Sequence, residues 1–188
     1  MTQDRNTQPA PSRGTYRKLW IGDLGIFVEH LERLDREAKY LRFGGGTSPQ
    51  FLKDHARKAL QWPGIVDGYF VDGILRGTGE LQPLPDSFPL EAEAAFTVEK
   101  PFRGQGVGTE LMRRAIISAQ NRHITTIYTI CMVENQRMRR LAQKYKAELR
   151  IEHNEISGMF RTPAPTHLSV MEEWLSDACG LINNALRR

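Results

Sequence analysis

Residues 91–109, EAEAAFTVEKPFRGQGVGT, constrain this chain more than any other stretch, and they run directly on into LMRRAIISAQ. A short apolar strand ends at Val98, and a connection carrying Pro101 follows. Arg103, Gly104, Gly106 and Gly108 then open an amphipathic helix near Val107. The glycines remove side chains from the loop, so consecutive backbone N–H groups can turn toward one ligand while the helix dipole adds a partial positive charge. Such a nest favours phosphate. The spacing is not the GxGxxG of a dinucleotide-binding turn, and no acidic residue ends a strand about 20 residues later.

The rest of the chain must build a scaffold for that unit. Its 188 residues, 40% of them hydrophobic, supply one sizeable core and are too few for two ordinary domains. The net charge of +4 comes from 26 Lys and Arg interleaved with 22 Asp and Glu. That is too diffuse for a nucleic-acid partner, although it suits an anionic ligand. Cys131 and Cys179 form no CxxC and sit at no ligand spacing, so neither a metal site nor a disulfide framework is expected. No apolar run approaches the roughly 20 residues of a membrane span, and the N-terminus lacks a signal peptide's apolar core. A cytoplasmic protein with no membrane partner is the expectation. Residues 1–14 are rich in Gln, Thr, Pro, Arg and Asn and read as a disordered tail.

Hydrophobic periodicity places the remaining elements. Residues 16–21 make a first strand, and Asp23 can cap a helix whose Phe27, Leu31, Leu34, Ala38 and Leu41 share a face. Thr47 or Ser48 caps a second helix, with Pro49 in its first turn and Phe51, Leu52, Ala56 and Leu60 on its buried side. Asp72-Gly73 between two alternating runs predicts a hairpin. Residues 83–89, PLPDSFP, form a loop, and residues 90–98 return as a strand. After the glycine loop, residues 125–131 read as a buried parallel strand. Glu134-Asn135 begins a helix with Met138, Leu141, Ala142 and Tyr145 on one face, and residues 149–151 and 156–160 close as a hairpin through 153–155. Beyond Pro163 and Pro165, a last helix carries a stripe of Met171, Trp174, Leu175, Ala178, Ile182 and Ala185, apolar enough to cover its own sheet or to pair with a second copy in a homodimer.

With these pieces placed, the pattern Val98-x4-Arg103-x2-Gly106-x-Gly108 resembles the acyl-CoA-binding motif of the GNAT superfamily of N-acetyltransferases. The second strand-helix unit, residues 125–131 followed by Glu134-Asn135-x2-Met138-x2-Leu141-Ala142, resembles that family's other cofactor-side motif. The nearest branch is that of bacterial protein-lysine acetyltransferases, where YLRF, AE-x-AF-x-V and a terminal hairpin recur, as here at residues 40–43, 92–98 and 148–160. The resemblance implies an α/β GNAT acyl-CoA N-acyltransferase fold over residues 15–162. Its central sheet is mixed and mostly antiparallel, flanked by helices and splayed between the fourth and fifth strands. Residues 163–188 add a C-terminal helical extension outside the shared part.

The resemblance also implies direct transfer of an acetyl group from acetyl-CoA to a primary amine while both substrates are bound. Arg103 and the main chain of Gly104, Gln105, Gly106, Val107, Gly108 and Thr109 would hold the pyrophosphate. Main-chain groups of Phe96, Thr97 and Val98 would meet the cofactor arm, with the Val98 N–H polarising the acyl oxygen. Asn135 would contact the arm, or cap its helix, or both. Glu93 occupies the position where these relatives keep a catalytic glutamate, and period-two alternation puts it with Ala95 and Thr97 on a face open to substrate or solvent. Glu91 lies on that face too and competes for the role. A lysine amine must lose a proton before attack, which is the job of such a base.

The family often protonates the departing thiolate from a tyrosine seven residues after the asparagine. That position is Ala142 here, and Tyr145, further along the same face, reads as core. Cys131 reads as a small buried strand residue rather than a nucleophile, since no histidine is placed to activate it. The acceptor stays open between a protein lysine and a small amine such as a polyamine, an amino acid or an antibiotic. A non-catalytic acyl-CoA-binding regulatory module is the remaining alternative.

Overall fold

The computed structural model describes residues 14–152 and 155–185. Seven strands form one sheet: β1 (Thr15–Leu19), β2 (Ile65–Val71), β3 (Ile74–Pro83), β4 (Glu91–Val98), β5 (Thr126–Met132), β6 (Glu148–Glu152) and β7 (Glu155–Arg161). Their spatial order is β1-β2-β3-β4-β5-β7-β6. Every pair is antiparallel except β4 and β5. Among the described residues there are six α-helices: α1 (Leu24–Arg33), α2 (Arg36–Phe43), α3 (Pro49–Leu60), α4 (Val107–Asn121), α5 (Gln136–Lys144) and α6 (His167–Ala185).

Alternation along the strands divides the core. On one face Val66, Phe70 and Leu75 meet Phe27, Leu31, Leu52 and Ala56 of α1 and α3. On the other, Leu81, Ala94 and Ile127 meet Met112 and Ala119 of α4 and Ala142 of α5. Leu111 and Met112 are fully buried, each worth about 1.5–3 kcal/mol of transfer free energy. Asp72 and Gly73, at φ 51° and 78°, turn β2 into β3, the left-handed pair that a tight hairpin requires.

The expected antiparallel character, the strand order through the glycine loop and the splay are all present. Three local expectations need correction. Residues 23–41 are not one helix, because Leu34 is extended (ψ 137°) and Asp35 starts α2 by accepting the N–H of Ala38 at 3.0 Å. Leu34 nevertheless stays buried, so the apolar period runs through the break unnoticed. Asp23 does not cap α1 with its side chain; its carboxylate instead binds Arg17 at 2.8 and 2.9 Å and the N–H of Trp20 at 2.9 Å. Ser48 caps α3 as expected, but Phe51 is exposed and rests on Phe43 and His55.

The apolar stripe of α6, expected either to cover the sheet or to meet a second copy, turns away from the sheet. Leu168, Met171, Trp174 and Leu175 are exposed, and the helix docks on β1 and α4 through Ser169, Glu173, Asp177 and Gly180. The side chains of Ile182 and Ala185 lie outside the described ones, as do the expected tail at residues 1–13 and the turn residues His153 and Asn154.

Candidate active site

The β4–β5 ladder lasts three residues, Glu91↔Thr126 to Glu93↔Tyr128. Beyond it β4 stays paired with β3 as far as Val98, and β5 pairs only with β7. The strands part, and a cleft of about 510 Å³ opens between them, floored by β4 and β5 and walled by the glycine loop, α2 and α5.

Hydrogen-bond alternation decides which main-chain groups of β4 face this fork. The Glu91 carbonyl accepts from Leu84 N–H, and Glu99 N–H donates to Arg76, both on the β3 side; the Leu90 carbonyl accepts from Thr125 N–H on the β5 side. Odd-numbered residues therefore bond toward β3 and even-numbered ones toward β5. Phe96 and Val98 point main-chain groups into the fork, where no strand meets them. The Val98 carbonyl is taken by Arg103 Nε at 2.8 Å, which leaves its N–H facing the cleft. Thr97 borders the cleft but directs its main chain to Thr78, and its hydroxyl lies 2.9 Å from His30 Nε2 and 2.7 Å from Thr78 Oγ1. The expectation that its face is open to substrate or solvent fails at Thr97, which is buried under α1.

The loop after β4 is built for close approach. Gly104 and Gly106 have φ of 77° and 85°, and Gly106 is the N-cap of α4. A Cβ on Gly108 would meet nothing nearer than Leu141 Cδ2 at 4.0 Å, so the protein leaves a gap over the first turn of α4. Val107 sends its side chain into the core, and Gln105 folds its amide back onto the Pro101 carbonyl at 2.8 Å. What this segment, through Thr109, offers a ligand is its backbone N–H groups at a helix N-terminus. Arg137, Arg140 and Lys144 of α5 line the opposite rim. An amide-lined, dipole-backed gap beside a cationic rim fits the phosphates of a coenzyme A molecule, and the unpaired edge of β4 fits its amide-bearing arm.

Arg103 is placed differently from the expectation. Its guanidinium pairs with Asp35 as well as the Val98 carbonyl, tying the start of α2 to the end of β4, and only Nη1 lacks a partner. Asn135 caps α5 by accepting Met138 N–H at 3.0 Å while also lining the cleft. Ala142 is buried, and Tyr145 donates its hydroxyl to the Thr109 carbonyl at 2.9 Å, with burial raising its pKa. Burial likewise pushes the Cys131 thiol up, which keeps it protonated and a poor nucleophile.

Glu91 and Glu93 are separated by their partners. Tyr128 donates its hydroxyl to Glu91 at 3.0 Å, whereas Glu93, half-buried at the last rung before the fork, has no hydrogen bond or ion pair among the described residues.

Several charged residues near the fork escaped the sequence reading. Glu80 on β3 is fully buried beside Ala95 and bonds His55 Nε2 at 2.9 Å and Arg42 at 3.3 Å. Burial alone would raise its pKa, yet Arg42 and His55 hold it below the usual carboxylate range. His30 and Glu99 form a second buried cluster with Arg33 and Arg76. The available signals were an acid inside the apolar β3 alternation and a histidine at the buried spacing of Phe27 and Leu31. Among the described residues no group of three His, Cys, Asp or Glu could hold a metal ion, and no helix is long and apolar enough to cross a membrane.

Comparison with known proteins adds three kinds of finding. The model of the acetyltransferase (GNAT) family matches residues 28–146. The chain is similar in structure to the GNAT domain of S. lividans PAT, with TM-score 0.69 and 18% identity over 79% of this chain and 90% of that one. It is also similar to yncA, a putative acetyltransferase from Salmonella typhimurium solved with acetyl-CoA, with TM-score 0.63 and 14% identity over 83% and 99%. The paia N-acetyltransferase from Thermoplasma acidophilum, solved with coenzyme A, gives TM-score 0.58 and 16% identity over 79% and 98%. A search of curated protein sequences found no match.

Proposed function

The chain belongs to the acetyltransferase (GNAT) family and its cosubstrate is acetyl-CoA; from that premise we propose that it acetylates the side-chain amine of a protein lysine by direct attack with both substrates bound. The observation that carries the mechanism is the parity of β4, which turns the Val98 N–H into the fork with Glu93 at the fork's base. Acetyl-CoA supplies an acyl carbon activated as a thioester. The amides of residues 104–109 hold the pyrophosphate, helped by Arg137, Arg140 and Lys144 across the cleft and by the one free nitrogen of Arg103. The Val98 N–H meets the negative charge that gathers on the acyl oxygen. Glu93, with no competing partner, takes the proton from the attacking amine. With Ala142 in the usual tyrosine position and Tyr145 committed to Thr109, the departing sulfur takes its proton from water.

Cleft charge favours the lysine reading over a free polyamine. Apart from Glu93 at the fork's base, no Asp or Glu among the described residues lines the cleft, so a free polycation finds no second carboxylate to hold its distal amines. A second reading, a free amino acid, is favoured by Arg42, whose buried Nε lacks a partner and could meet a carboxylate. Thiol release from acetyl-CoA, measured across lysine peptides, polyamines and amino acids, decides between them. Peptide lysines should turn over fastest, and activity confined to amino acids would replace the first reading by the second. Within the same assay Glu93→Gln should lower turnover about a hundredfold while coenzyme A affinity holds. Unchanged turnover would remove Glu93 from the mechanism.

A further inference from the structure

We infer that His30, a residue of α1 that does not line the cleft, is a positioning residue for the Val98 amide, gripping the side chains on either side of it. The imidazole is fully buried. Its Nε2 lies 2.9 Å from Thr97 Oγ1 and its Nδ1 3.2 Å from Glu99 Oε1. Thr97 and Glu99 are the two neighbours of Val98, so one ring spans the residue whose N–H faces the fork.

The protons of this cluster run in one direction. Glu99 also accepts from Arg33 Nε at 2.9 Å and Arg76 Nη1 at 2.8 Å. Burial opposes its charge, but hydrogen bonds from His30, Arg76 and Arg33 hold its pKa at about 2. An ionised Glu99 can only accept, so His30 Nδ1 carries the proton and donates it. Burial lowers the His30 pKa and keeps the ring neutral, which makes Nε2 an acceptor for the Thr97 hydroxyl. Thr97 Oγ1 then accepts from Thr78 Oγ1 at 2.7 Å. The chain Thr78 to Thr97 to His30 to Glu99 leaves none of these donors idle.

The arrangement answers a mechanical problem. Past Glu93, β4 has lost its β5 ladder on the side where its main chain must be held still. The main chains of Thr97 and Glu99 are bonded to β3, and their side chains are bonded to α1 through His30. Val98 is therefore fixed from both flanks while its own N–H stays free for the acyl oxygen. A misplacement of about 1 Å at such a donor can cost on the order of a hundredfold in rate.

The inference rests on the reading that Val98 N–H meets the acyl oxygen, and one experiment separates the two. The amide resonance of Val98 is followed in isotope-labelled full-length protein saturated with coenzyme A or with acetyl-CoA. Wild type should show a larger shift with acetyl-CoA, because only that ligand brings an acyl oxygen. In His30→Phe and in Thr97→Val this difference should vanish and thiol release should fall about ten- to a hundredfold. The dissociation constant for coenzyme A should stay within about twofold in both. Thr97→Ser should recover most of what Thr97→Val loses, and Thr97→Val carries the test if His30→Phe does not fold. A wild-type Val98 indifferent to the acetyl group overturns the amide assignment and this inference with it. A wild-type difference that persists in both variants, or a loss of coenzyme A binding in parallel with turnover, overturns the inference alone.

Discussion

At the scale of single residues, the site divides into groups whose identity a motif can reveal and groups whose partners only the fold assigns. The strand positions of Glu93 and Val98 are legible from alternation, and the roles proposed for them follow the family resemblance. The partner of Arg103 is not legible, because sequence supplies no sign that Asp35, the N-cap of α2, will claim its guanidinium. This assignment has a measurable consequence. Asp35→Asn keeps an oxygen to cap α2 while removing the charge. Arg103→Met removes the other partner, and each should cost about 1.5–3 kcal/mol in urea unfolding. The double variant should cost little more than Arg103→Met alone, since Arg103→Met already deletes the Asp35 pair together with the bond to the Val98 carbonyl. Additive losses, or a fall in coenzyme A affinity for Arg103→Met that Asp35→Asn does not share, would mean that the guanidinium serves the pyrophosphate more than Asp35. Glu80 with His55, and His30 with Glu99, were hidden for a related reason. A buried acid or histidine looks like a breach of pattern in one strand or helix, and its partner lies more than 20 residues away.

At the scale of elements, periodicity located nearly every strand and helix, yet it misjudged Phe51 on α3 and left open where the apolar face of α6 points. It measures where apolar residues cluster and not which neighbour they meet. In α6 the inward side is polar because β1 presents a buried cation. Lys18 Nζ lies 2.6 Å from Glu173 and 2.5 Å from Asp177, and Glu173 also accepts from Ser118, Asn121 and Arg122. A Cβ on Gly180 would sit 2.6 Å from Arg17 Cβ and 2.9 Å from the Tyr16 carbonyl, so the backbones of α6 and β1 touch there. Lys18→Met would remove the cation that Asp177 and Glu173 share, leaving Glu173 with Arg122, and should destabilise the protein by about 3 kcal/mol. Gly180→Val should loosen the same contact by steric pressure alone, at any pH. A cost below about 1 kcal/mol for Lys18→Met would mean that α6 is held by something other than this cluster.

At the scale of the whole molecule, the polar clusters set how stability depends on pH. Hydrogen bonds hold Glu99 and Glu173 at about 2 against the opposing effect of burial. Between about pH 2 and their ordinary value of 4.5 the unfolded chain binds protons that the folded one does not, so stability rises with pH there. Above that window two buried groups oppose each other. Burial lifts Asp67 from 3.8 to about 6 despite Arg114 and Lys18, so the folded state holds an extra proton and stability falls with rising pH across that range. Burial lowers His30 from 6.5, so the unfolded state binds the extra proton and stability rises with pH up to 6.5. The wild-type curve should therefore be steep below pH 4.5, with the two buried groups opposing each other above it. Removing one or the other should tilt that upper part in opposite senses. Asp67→Asn should leave a rise toward pH 6.5 and a gain at pH 7 on the order of 1 kcal/mol, while Thr97→Ser, which keeps the hydroxyl on His30, should leave the shape unchanged. Urea unfolding from pH 3 to 8 reads all three curves. An Asp67→Asn curve that rises no more than the wild-type one between pH 4.5 and 6 would show that Asp67 does not titrate as its surroundings require.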